Sequence, residues 1–155
     1  MRSFVYGVKD GKWFLESNRE CFAVQNPDEH FHFQKAKQSF EEKKVFYQNN
    51  GFLQCIRDSQ PKPEYKKPVF TVGGIPYQNS NWFAQICAEL EHEYDYLEDL
   101  NGDGHESVIL LDEDSNEFSY IGSVSAYTYT TELTGRMLYF FEPKNQRVLV
   151  VVEYT

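Results

Sequence analysis

Long apolar runs are missing from this sequence: the longest span only a few residues, such as Val148 to Val152, where a membrane-crossing helix needs about 20. That excludes a helical membrane span. Cysteine is scarce too. Cys21, Cys55 and Cys87 are odd in number and widely spaced, with no C-x-x-C pair and no matching histidine spacing for zinc, so reduced thiols in a cytoplasmic protein are expected. Residues Met1 to Gly7 enter a strand-like pattern with no apolar leader region, and no signal peptide is read there.

Signatures of catalysis are equally absent. There is no G-x-S-x-G, no H-E-x-x-H and no phosphate-gripping loop, and Gly73-Gly74 lacks the Lys and helix start that would hold a phosphate. None of the three cysteines sits in a Gly-flanked elbow beside a histidine. His30 and His32 could supply two metal ligands, with His92 and His105 completing a site, but nothing in the spacing makes these segments meet. A non-enzymatic protein is expected.

What the chain has in excess is aromatic side chains and acid. Thirteen Phe, eleven Tyr and two Trp in 155 residues suit strands and interfaces better than a helical bundle. Up to Tyr77 there are 12 Lys or Arg against 9 Asp or Glu; from Gln78 onward there are 3 against 15, for net charges of +3 and −12. From Glu89 to Glu117 twelve carboxylates occur without one Lys or Arg. Such one-signed density repels itself unless a cation or a basic partner relieves it, and it argues against nucleic acid. The acids expected to face a basic protein partner, such as a toxin domain, are Glu93, Asp95, Glu98, Asp112, Glu113, Asp114 and Glu117. A solvated acidic surface is the simpler alternative.

Within that stretch lies Asp99-Leu100-Asn101-Gly102-Asp103-Gly104-His105-Glu106, followed by the apolar Val108 to Leu111. Asp99, Asn101 and Asp103 place oxygens at alternate positions, the His105 carbonyl can add one, and the glycines permit the tight curl that wraps a hard cation. An EF-hand would need Glu at position 12, where Leu110 stands. The segment instead resembles the D-x-N-x-D-G loops of FG-GAP and VCBS-type repeats, which join two β-strands. That resemblance implies bound calcium held by Asp99, Asn101, Asp103, His105 and Ser107, although the family's acid at position 9 is Ser107 here and Glu106 falls one place early. It covers about a dozen residues, with no second copy. A metal-free Asn-Gly-Asp-Gly turn is the alternative.

The rest of the pattern predicts an α+β fold, a β-rich single domain with an antiparallel meander and one or two packed helices. Ser3 to Val8 and Lys12 to Glu16 flank Asp10-Gly11 and read as a hairpin. Asn26-Pro27-Asp28-Glu29 reads as the start of a helix to about Lys44 with Phe33, Ala36 or Lys37, and Phe40 as its buried stripe, although residues 30 to 33 alternate like a strand. Val45 to Tyr47 and Phe52 to Ile56 bracket Gln48 to Gly51 as a second hairpin. Gln60 to Pro68 reads as a basic loop, since Pro61, Pro63 and Pro68 oppose regular structure. A strand at Val69 to Val72 and a helix from Ser80 to Glu91 follow, the helix having Trp82, Phe83, Ile86, Cys87 and Leu90 on one side. Strands at Tyr94 to Leu97, Val108 to Leu111, Phe118 to Ile121, Val124 to Thr130, Met137 to Phe141 and Arg147 to Tyr154 complete the meander. Leu149 to Val152 is apolar throughout and should be central.

These features fit two classes of function. One is an immunity or inhibitor protein that neutralises a basic toxin, its acids steering encounter and its aromatics anchoring the interface. The other is a calcium-dependent structural or adhesive module built on the Asp99 to Asp103 loop.

Overall fold

The computed structural model describes residues 3–17, 30–54, 60–76, 90–98, 104–129 and 135–153, with the backbone alone for 91–98 and 104–107. The chain opens with β1 (Ser3–Lys9) and β2 (Lys12–Leu15), joined through Asp10 and Gly11 at φ 53° and 71°. Two left-handed residues in succession make the tight hairpin turn that the Asp-Gly pair predicts. Helix α1 (Phe31–Asn50) follows, then β3 (Leu53–Gln54), β4 (Lys66–Lys67) and β5 (Thr71–Val72). The long strands come next: β6 (Glu91–Glu98), β7 (Gly104–Leu111) and β8 (Glu117–Ser125). A short helix α2 (Ala126–Tyr129), β9 (Arg136–Glu142) and β10 (Arg147–Glu153) finish the chain.

The main sheet runs β2-β1-β10-β9-β8-β7-β6, all antiparallel, with β5 pairing to the far half of β8. β10 lies inside the sheet between β1 and β9, and Leu149, Val150 and Val151 are all buried, as expected of a strand covered on both faces. Register builds the core. Val5 lies opposite Leu149, Leu149 opposite Phe140, Phe140 opposite Tyr120, and Phe118 opposite Leu110, so period-two alternation puts one apolar row across five strands. Leu138, Val151 and Leu90 join this row. Each fully buried aliphatic side chain there contributes about 2 kcal/mol.

A register shift in β8 between Tyr120 and Gly122 resets the alternation, after which Val124 pairs with Met137 on the opposite face. Gly122 marks a close approach. A Cβ there would strike the Thr71 carbonyl and the Phe70 ring, and the bare backbone lets Phe70 lie edge-on to Tyr139, 5.3 Å between centroids.

Several expectations require correction. Val45 to Asn50 continues α1 and forms no hairpin; Gly51, at φ 72°, closes the helix by donating its N–H to the Tyr47 carbonyl at 2.8 Å. The Gly that resembled a turn residue is thus a left-handed helix stop. Phe33 and Phe40 are not a buried stripe, being 40% and 44% exposed, and Ser39 is the helix's one buried residue. The loop at Gln60 to Pro68 contains a 3-10 turn at Pro63–Tyr65 and the short strand β4, which pairs Leu53 with Lys67. Pro at the first position of that turn sacrifices no needed N–H. The strand expected at Val69 to Val72 contracts to β5. Ala126 to Tyr129, read as strand, is helical, and Phe118 to Ser125 is one strand. The helix expected to reach Glu91 does not: Leu90 is a bend and Glu91 begins β6, which pairs with β7 along its length. The helix start at Asn26 and the predicted helix up to Glu89 lie outside the described residues. No helix among those described is long and apolar enough to cross a membrane.

Candidate functional site

The acidic stretch maps to one end of the sheet. β6 is its last strand, and it carries Glu91, Glu93, Asp95 and Glu98. Glu91 stands opposite Leu111, Glu93 opposite Ile109, Asp95 opposite Ser107 and Glu98 opposite Gly104. Only β7 pairs with β6 among the described residues, so one row of backbone N–H and C=O groups faces away from the sheet.

The five proposed calcium ligands divide. His105 and Ser107 lie within β7, opposite Leu97 and Asp95. Asp99, Asn101 and Asp103 belong to the five-residue connection between β6 and β7, outside the described residues. His30 and His32 sit at the start of α1, not on a strand, with rings 5.8 Å apart. No group of three or more His, Cys, Asp or Glu suited to a metal occurs among the described residues.

The turn from β7 to β8 holds the other acids, and here the expected solvated cluster is partly internal. Asp112 is 1% exposed. Its Oδ1 accepts the backbone N–H groups of Asp114 (3.0 Å) and Asn116 (2.8 Å), and the Asn116 amide adds a third donor at 3.0 Å. Its Oδ2 accepts from Asn145 and Arg147, both at 3.4 Å. An Asp that bonds forward to its own turn is what this tight reversal, with Ser115 at φ 60°, requires. Asp112 is therefore a structural carboxylate and is withdrawn from any partner surface.

Arg147, at the start of β10, joins three segments. Its Nε donates to Glu16 after β2 at 2.8 Å, while one Nη donates to Asp112 and to Glu113 at 3.2 Å. The guanidinium also lies 5.8 Å from the Phe118 ring centre. Next door, buried Glu142 accepts the N–H groups of Lys144 and of Asn145, the latter at 2.9 Å, and so holds the β9–β10 turn. Asp114 and Glu117 are exposed, and Glu117 accepts from the Ser119 hydroxyl at 3.3 Å.

Burial pushes the Asp112 pKa up, but the donors from Asn116, Asp114 and Asn145 outweigh it and hold the carboxyl below its ordinary value. Glu113 is lowered by a backbone hydrogen bond and by Arg147. For Arg147 the cost of burial is overcome by Glu113 and Glu16, and its pKa is raised. Carboxyls lowered on folding mean that the folded state binds fewer protons than the unfolded one. Their contribution to stability is complete above the ordinary carboxylate range and is lost as pH falls through and below about 4. Melting temperature is expected to fall there, and Asp112→Asn is expected to flatten that acid limb in a series of melts from pH 7 to pH 3.

Sequence reasoning missed Arg147, Asn116 and Asn145 as partners of Asp112. The Asp112-x-x-x-Asn116 spacing was a usable signal for the turn itself. Arg147 had none, since 35 residues separate it from Asp112.

Compared with protein-family models, curated proteins and solved structures, the chain matches none of them.

Proposed function

We propose that this chain is a non-enzymatic acidic binding protein that neutralises a basic protein partner, most concretely an immunity protein blocking a cationic toxin domain in a bacterial cytoplasm. The observation that carries this is the location of Glu91, Glu93, Asp95 and Glu98 on the end strand of the sheet. The edge of β6 that no described strand pairs offers backbone hydrogen bonds to an extended segment, and like charge disfavours a second copy of the same edge. A Lys- or Arg-rich strand gains from both the backbone and the charge. Asp114 and Glu117 extend the negative surface beyond the β7–β8 turn.

The test is capture of the neighbouring gene's product, with Glu93→Lys/Asp95→Lys as the comparison. Binding should weaken with salt, and the double reversal should reduce affinity about tenfold or more without moving the melting temperature. Binding indifferent to salt, or none at all, would sink the proposal.

A calcium-dependent structural or adhesive module is the second reading. It is supported by the short connection between Glu98 and Gly104, which joins two paired strands as the FG-GAP and VCBS-type loops do. Calcium at ten times its Kd should stabilise the fold by about 1.4 kcal/mol; chelator should reverse the gain and Asp103→Ala abolish it. A melt indifferent to calcium would dispose of this reading.

A further inference from the structure

The face of the sheet opposite the core carries a cleft that neither reading uses. Phe33, Ala36 and Phe40 of α1 form one wall, and Val124, Met137 and Tyr139 form the floor of a space of about 680 Å³. Val69 and Phe70 also line it. A second space of about 220 Å³ continues it along α1, sharing Phe40, Val69 and Tyr129 and reaching Leu53. Together they are the size of a small-molecule site.

The lining decides what could occupy it. No carboxylate is among the described residues that line either space, whereas Lys37, Lys43 and Lys44 of α1 border them; Lys43 donates to the Gln54 carbonyl and Lys44 pairs with Glu41 at 3.3 Å, so the exposed Lys37 is the cation that the larger space offers. The Tyr129 hydroxyl already donates to the Val69 carbonyl at 2.6 Å. A strand or loop of protein laid here would bring backbone N–H and C=O groups against an apolar wall and leave them unmatched, at a cost of about 1–3 kcal/mol each. A methylene chain has no such groups. The Lys37 ammonium selects the sign of its polar end.

We propose that the cleft between α1 and the β8–β9 face binds a single unbranched acyl chain with an anionic head, of the long-chain carboxylate class, its head beside Lys37. The chain lies over Val124 and Met137, and the aromatic rings of Phe40 and Tyr139 flank it. This site is separate from the β6 edge, so it stands or falls independently of the partner reading.

Delipidated full-length protein titrated with laurate below its micellar concentration, followed by calorimetry and by displacement of a dansylated undecanoate, tests it. One saturable site is expected, with dodecyltrimethylammonium binding more weakly. Ala36→Trp, at a half-buried position facing the cleft, should abolish binding. Lys37→Glu, at an exposed position that leaves the fold intact, should weaken laurate about fivefold or more and favour the cationic chain. Absence of saturable laurate binding overturns the proposal, as does laurate binding that Ala36→Trp and Lys37→Glu both leave unchanged, or equal affinity for the two head groups.

Discussion

Arg147→Ala is expected to lower the unfolding free energy by about 3 kcal/mol, near the lower end for a buried pair that loses one member. The guanidinium is 15% exposed and Asp112 not at all, so water cannot replace the lost donor readily. Asp112 keeps its bonds from Asn116, Asp114 and Asn145, which is why the loss is not larger. Glu16 and Glu113 lose their cation as well, and the Phe118 ring loses its cover. The urea midpoint should fall with little change in slope, because the surface exposed on unfolding is nearly the same. Arg147→Lys should be intermediate, since one ammonium cannot serve Glu16, Asp112 and Glu113 in the geometry of a planar fork. A loss under about 1 kcal/mol, the worth of an exposed ion pair, would show that these carboxylates are already solvated.

Phe140→Ala is expected to cost more, about 3–5 kcal/mol. Phe140 is 2% exposed and stands in the row between Leu149 and Tyr120, with the Tyr120 ring 5.4 Å away, edge-on. Removing it opens a cavity in the middle of the sheet's buried face, where ladders on both sides prevent collapse. Tyr139→Ala makes the contrast, because that neighbouring side chain lies on the opposite, half-open face and should cost markedly less. Equal losses at the two positions, read from urea midpoints, would mean that the faces are buried alike.

Much of the strand content was readable because alternation and turn chemistry agree. Asp10-Gly11 between two alternating runs yields its hairpin, and the unbroken apolar run at Leu149 to Val151 yields an interior strand. Failures occurred where one residue type serves two kinds of stop. Gly51 after Asn49-Asn50 fits a hairpin turn and a left-handed helix end equally well in sequence. The Lys- and Glu-rich middle of α1, with a Gln38 to Glu42 bond at 2.9 Å, favoured helix, but the stripe expected at Phe33, Ala36 or Lys37, and Phe40 stopped well short of its end at Asn50. Ala126 to Tyr129 alternates like strand but is helical, and no turn or cap residue in the sequence marks the change. For the candidate site, the acids were visible and their number was informative, yet their division was not. Whether a carboxylate meets water or an arginine depends on long-range pairing, and Arg147 reaches Asp112 only because β10 is inserted beside β9.

The insertion of β10 between β1 and β9 also governs when the protein can become a protein. β1 pairs with a strand that follows it by most of the chain, so the β1–β2 hairpin must wait, unpaired along one edge, until residues 147 to 153 are made. A two-stranded hairpin has little stability of its own, and closing so long a loop has an entropic cost before any contact repays it. Folding should therefore be a late, single event triggered by the arrival of residues 147 to 153, and the nascent chain until then exposes the apolar residues of β1 and β9 to whatever holds unfinished proteins apart.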